Sequence, residues 1–168
     1  MLVAYAELDR DLGYTQGMNF IAASVFVAMQ DEILAFAVLQ RLMQSKSQAI
    51  VIQHSLPPAL RMPQVLVNLP EWRFLYTDGM KKLAAFVAEV RQWLLETKRL
   101  LYVHFESRKI LLEVCLSNPF LSLFSNVIPN QHMLKVLDRF LHFGQKALVQ
   151  IVKHILQSQQ DKLLKITD

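Results

Sequence analysis

Apolar residues return every three to four positions along nearly the whole chain, and that spacing predicts helices rather than strands. In MKKLAAFVAEVRQWL, Met80, Leu83, Ala84, Val87, Val90 and Leu94 share one face, while Lys81, Lys82, Glu89 and Gln92 fall elsewhere. Asp78 is placed to cap that helix at its start. NQHMLKVLDRFLHFG repeats the pattern, with Asn130 as cap, Met133, Leu134, Leu137, Phe140 and Leu141 as the stripe, and Gly144 as the stop. Ala147, Leu148, Ile151, Val152, Ile155 and Leu156 form the face of the helix that follows. Asn118 before Pro119 predicts the start of a shorter helix, closed off by Pro129. Further helices are predicted over about 20–29, 32–44, 79–96 and 98–106. Gln44 to Pro70 carries four prolines among scattered apolar residues and reads as a long packed connection with room for one short helix. With no period-two run, hairpin signal or repeat, the predicted class is all-α, multi-helix. Phe20, Phe26, Phe36, Leu83, Val87, Phe120, Phe124, Leu137, Phe140 and Ile151 are the expected core.

A chain of 168 residues is expected to form one domain, 1–168, whose C-terminal helical part covers about 79–168. Leu12 to Gln30 is free of charge and long enough to raise the question of a membrane span. Tyr14, Thr15, Gln16, Asn19, Gln30 and two glycines interrupt it, and the continuous apolar part, Phe20 to Met29 with Ser24 inside, suits a core helix. The opening MLVAYAELDRD has no basic start and turns acidic by Glu7, so no cleavable signal peptide is expected. Cys115, the single cysteine, lies in LLEVCLS and is expected to be a buried, unreactive thiol compatible with a reducing compartment. Residues 1–45 hold two basic and five acidic side chains, and residues 46–168 hold sixteen basic and nine acidic ones. Basic residues never run beyond two and do not alternate with aromatics, which argues against nucleic acid and for an acidic protein partner.

The usual self-contained chemistries are missing from the sequence. His54, His104, His132, His142 and His154 lie far apart, with no HxxxH, HExxH or Cys/His cluster to hold a metal. No GxxxxGK[ST] loop, GxSxG elbow or catalytic carboxylate pair is present. Asp138 and Arg139 read as an exposed pair within a helix, though an aspartate beside Leu137 and Phe140 also suits bracing a neighbouring backbone. DLGYTQGMNFIAA stands apart: Gly13 and Gly17 permit backbone angles and close approaches that a Cβ resists, so Gln16 between them sits on a tight, shaped loop before an apolar helix.

LVAYAELDRDLGYTQGMNFIAA resembles the segment around the YxQ motif of the TBC domain, the family of Rab GTPase-activating proteins. DEILAFAVLQRLM is similar to the helix that follows that motif, YTDGM to a mid-domain segment, and LKVLDRFLHFGQKALVQIVKHIL to the segment written RIWDxFLxEGxKxLFRxALxIL. The pieces run in matching order from about residue 2 to residue 157. The resemblance implies a regulator of small GTPases that is not itself a hydrolase and supplies groups in trans: a glutamine finger from YxQ and an arginine finger from an upstream IxxDxxR. Gln16 matches the finger and Tyr14 the tyrosine that supports its loop. No cofactor is implied in this chain, because GTP and magnesium are carried by the partner, a small Rab-type GTPase. Cytoplasmic placement in vesicle traffic, peripheral to membranes or the cytoskeleton through partners and without a transmembrane segment, is likewise what the resemblance implies.

The arginine motif has no match, since no isoleucine is followed three positions later by aspartate. Arg10, in LDRD, is expected in the helix leading to the YxQ loop and does not fit that motif. In SNPFLSLFSN, Pro119 stands where the family usually has tryptophan, and Leu137 replaces the tryptophan of RIWD, while Phe120, Phe124 and Asp138 keep the pattern. Two functional expectations therefore stand side by side. One is a Rab GTPase-activating domain using Gln16, with its arginine part outside this chain. The other is a catalytically inactive TBC-like interaction module that serves as a scaffold within a larger assembly.

Overall fold

The computed structural model of the chain describes residues 1–44 and 71–166. Among these residues the regular structure is helical throughout, and no strand forms. Three helices, α1 (Leu2–Leu8), α2 (Met18–Met29) and α3 (Glu32–Met43), make the first part. After a 3-10 turn at Arg73–Leu75 and another at Asp78–Met80 come α4 (Lys81–Thr97), α5 (Arg99–Ser107) and α6 (Leu112–Leu121). The last part is α7 (Asn130–Phe143), α8 (Gln145–Ser158) and the short α9 (Gln160–Leu163). Helix α4 is the axis, touched by α5, α6 and α8, while α2 packs on α3 and on α7.

The 3.6-residue stripe explains most of the core. Leu83, Val87, Phe120, Phe124, Leu137 and Phe140 are buried, and Phe36 and Ile151 pack partly buried against them. Phe120 ties α6 to α4 and to the turn that follows α6, with its ring 5.5 Å from Phe86 and 5.7 Å from Phe124. Phe140 meets Trp72 edge-on at 4.6 Å, and burying such aromatic pairs adds about 0.5–1.5 kcal/mol beyond their area. Phe26 departs from the expectation and is 44% exposed. The face that α2 buries runs through Met18, Ile21, Ala22 and Val25, and Phe26 lies one step beyond it. Phe20 is half-buried.

Four local expectations are corrected. Pro119 does not open a helix; it lies inside α6, near its end, where the ring has no N–H for the Cys115 carbonyl. The helix stops two residues later, and the buried Leu123 and Phe124 take left-handed φ of 52° and 61°. Cys115 is exposed, because α6 buries Leu112, Leu116 and Phe120 at intervals of four and Cys115 falls outside that row. Helix α4 is entered through left-handed Gly79 and Met80, and Met80, not Asp78, holds its cap position. Asn130 is already helical in α7, with Pro129 at the cap position. The expected connection Gln44–Pro70 lies outside the described residues after Gln44, as does His54.

Asp138 and Arg139 are both exposed. Among the described residues no helix is long and apolar enough to cross a membrane.

Candidate functional site

The loop from Asp9 to Gly17 is built from its two ends. Helix α1 stops at Asp9, whose carbonyl accepts from the Gly13 N–H at 2.7 Å, and Gly13 takes φ of 60° to close the turn. The Asp9 carboxylate accepts from the Tyr5 hydroxyl at 2.6 Å and from the Leu12 N–H at 3.3 Å. Arg73, far along the chain, donates to the same carboxylate and approaches the Tyr5 hydroxyl at 3.5 Å. Asp9 thus ties the turn to the segment that precedes α4. Burial alone would raise its pKa, but the Tyr5 and Arg73 hydrogen bonds, with the Arg73 charge and the Leu12 N–H, hold it below its ordinary value. Tyr5 is pushed up, first by burial and then by the neighbouring carboxylate.

The second end is a close backbone contact. Gly17, at φ of 104°, precedes α2, and a Cβ there would stand 2.7 Å from the Leu121 carbonyl oxygen and 3.1 Å from the Leu121 Cβ. That carbonyl, at the last residue of α6, accepts from the Tyr76 hydroxyl at 3.1 Å. The Tyr76 hydroxyl in turn accepts from the Trp72 indole N–H at 3.1 Å. Burial raises the Tyr76 pKa, the Trp72 bond opposes this, and the nearby Tyr14 adds to the rise. Met18 is fully buried and its sulfur receives the Thr15 N–H at 3.3 Å, so the first residue of α2 anchors the loop as well.

Gln16 stands between these anchors, one residue before Gly17, with its side chain exposed. Its amide has no hydrogen-bond partner among the described residues, leaving an uncharged donor and acceptor open to solvent on a held backbone. Tyr14 does not pack inward. It is 53% exposed, and its hydroxyl donates to Asn19 Oδ1 at 3.3 Å, so it links the loop to the first turn of α2 across the surface. Asp9 and the Thr15–Gly17 entry, rather than the Tyr14 ring, hold the loop down. Arg10 is not helical either; it lies in the turn after α1 and pairs with Glu7 at 2.9 Å, both side chains well exposed.

The sequence reading missed Tyr5, Asp9, Arg73, Tyr76 and Leu121. Only Asp9 carried a local signal, as an aspartate placed just past a helix end and four residues before a glycine. No group of three or more His, Cys, Asp or Glu side chains is gathered for a metal among the described residues. The arrangement is therefore a braced loop offering a neutral amide at the surface, a geometry suited to reaching into another molecule.

The sequence matches the family model for the Rab-GTPase-TBC domain over residues 1–62 and 62–164. The chain belongs to the Rab-GTPase-TBC domain family. It is 24% identical over 164 residues to the ecotropic viral integration site 5 ortholog of Drosophila melanogaster, covering 98% of this chain and 17% of that protein. Growth hormone-regulated TBC protein 1 of Xenopus tropicalis is also 24% identical over 164 residues, with 98% of this chain and 41% of that protein covered. The GTPase-activating protein GYP5 of Saccharomyces cerevisiae is 23% identical over 166 residues, covering 99% of this chain and 16% of the yeast protein. The chain thus spans less than half the length of each of these relatives. No solved structure matches it.

Proposed function

We propose that the chain regulates a Rab-type small GTPase by presenting Gln16 to the nucleotide site of the GTP-loaded partner. The observation that carries this is the free, exposed amide of Gln16 on a loop fixed at Asp9 on one side and Gly17 on the other. In phosphoryl transfer from GTP, the attacking water needs orientation and the transferring oxygens need charge neutralisation. A carboxamide meets the first need, because its carbonyl accepts from the water while its N–H donates. A loop ordered before binding spends little of the binding energy on ordering. GTP and magnesium belong to the partner in this scheme.

The second need requires a cation, and the sequence holds no IxxDxxR segment; Arg10, inside the loop, is engaged with Glu7, and Arg73, against it, with Asp9. That observation favours a second reading, in which the chain by itself docks a GTPase without accelerating it. An arginine finger is worth about 10³ to 10⁵ in rate. The test is phosphate release under single-turnover conditions with a panel of GTP-loaded Rabs. It compares this chain, the chain preceded by a family segment bearing IxxDxxR, and the Gln16→Ala form of that longer protein. The proposal expects binding with little acceleration by the short chain, orders of magnitude more from the extended one, and loss of most of that gain on Gln16→Ala. An extended protein equally active with alanine at 16 rejects the finger; absence of any response with bound Rab supports the docking module.

A further inference from the structure

From the groove between α7 and α8 we infer that this domain carries a second docking site, separate from the Gln16 loop, for an acidic amphipathic helix of a protein partner. The two helices flank a cavity of about 960 Å³. Its apolar floor is formed by Phe143, Ile151 and Ile155, and its rim carries Lys135, Arg139 and Lys146. Phe143 is 59% exposed, and Ile151 and Ile155 are half-covered, so the floor is a contiguous apolar surface open to solvent. Helical spacing produces the row: Lys135, Arg139 and Phe143 recur every four residues along α7, outside its buried Met133, Val136, Leu137 and Phe140, and the row drifts toward that buried stripe as it reaches Phe143.

Charge decides the occupant. None of the three rim cations has an ion-pair partner among the described residues, whereas Lys153, about two turns along α8 from Lys146 and not part of the cavity lining, is engaged with Glu89 at 2.8 Å. Asp138 is the one carboxylate on the two helices, and it does not line the cavity. The stretch 45–70 of this chain has two cations and no carboxylate, so its charge does not complement the rim. Shape favours a helix over a membrane, since a flat bilayer meets the cationic rim without filling the floor. The lining from Lys146 to Ile155 extends about 14 Å along α8, room for two to three turns of a partner helix. Apolar residues at i, i+4 and i+7 would enter the groove, with acidic residues on both flanks meeting the rim.

The test uses the whole chain and three fluorescein-labelled helical peptides with the same i, i+4, i+7 leucines and with glutamate, glutamine or lysine at the flanking positions. Anisotropy titrations are expected to rank them glutamate, glutamine, lysine. Raising the salt from 50 to 300 mM should weaken the glutamate peptide by about tenfold as the rim is screened. Lys135→Glu with Arg139→Glu, both at exposed positions, should weaken it by about tenfold or more, and Phe143→Ser should weaken all three peptides. Far-UV circular dichroism verifies that each variant is folded. Gln16→Ala should leave peptide binding unchanged, so that failure of the finger proposal and failure of this one remain distinct. Equal binding of all three peptides, binding indifferent to the rim and floor variants, or binding only to vesicles containing phosphatidylserine would overturn the inference.

Discussion

Gly17 and Leu121 meet backbone to backbone: the position a Cβ would occupy on Gly17 lies 2.7 Å from the Leu121 carbonyl oxygen. The contact sets the Gln16 loop on the end of α6, the helix that also buries Phe120 in the core. Loop placement and core packing are therefore linked through one glycine. Gly17→Ala is expected to destabilise the domain by about 1–3 kcal/mol or more, because φ of 104° already strains a residue with a Cβ and the obstacle is backbone that cannot swing aside. Gly13→Ala meets nothing within 4 Å, so it isolates the strain term at φ of 60° and should be milder. Urea denaturation of both variants measures the difference; equal stabilities would deny the contact its role.

The Asp9–Arg73 pair makes a pH prediction. Asp9 has a folded-state pKa below its ordinary value, so the unfolded chain binds its proton first as pH falls. The stabilisation is fully present above about pH 5, above the ordinary carboxylate range, and is lost as pH falls through the lower folded value. Asp9→Asn should flatten this part of the acid limb while lowering stability at pH 7 by about 1–3 kcal/mol, since Arg73 and Tyr5 lose a charged acceptor. Chemical denaturation of the wild type and Asp9→Asn between pH 3 and 8 gives both curves, and parallel acid limbs would contradict the prediction.

Exposure of Cys115 is directly measurable. As the single cysteine, on the outer face of α6, it should react stoichiometrically with a disulfide reagent in the folded protein, with no preceding unfolding step. Cys115→Ser should change stability by less than about 0.5 kcal/mol. A reaction that appears only in denaturant would restore the buried thiol.

These residues also show where sequence legibility ends. Met133, Leu137 and Phe140 could be placed because helical spacing is a local property, and the row they form does face the core. Phe26 and Cys115 failed for the converse reason: composition makes them good core candidates, but a rotation of about 100° per residue puts them off the buried stripe. Pro119 misled because proline tolerates both the first turn of a helix and a turn about to end, and only the left-handed backbone at Leu123 and Phe124 decides between them. At the candidate site, the position of Gln16 before α2 was readable from its two glycines. The groups that hold its loop were not, since Arg73 meets Asp9 across 64 residues and Tyr76 meets Leu121 across 45.

Tyr14 supplies a last prediction, because its exposed ring and its bond to Asn19 separate two kinds of support. If the hydroxyl bond at 3.3 Å steadies the loop, Tyr14→Phe and Asn19→Ala should have the same modest effect, and the double variant should be no worse than either alone. If the ring itself is what a docked GTPase touches, Tyr14→Phe should be nearly silent while Tyr14→Ala weakens binding, since an aromatic at a contact contributes area that alanine lacks. The geometry favours the second outcome: the bond is long and solvent-exposed, whereas Tyr14 is 53% exposed two residues before Gln16. All four variants should stay within about 0.5 kcal/mol of the wild type in stability, as surface changes usually do. Affinity for a GTP-loaded Rab, set beside urea denaturation of the same proteins, distinguishes the cases. A large stability loss in Tyr14→Ala would assign the ring to the fold, and a loss of affinity at constant stability would assign it to the partner.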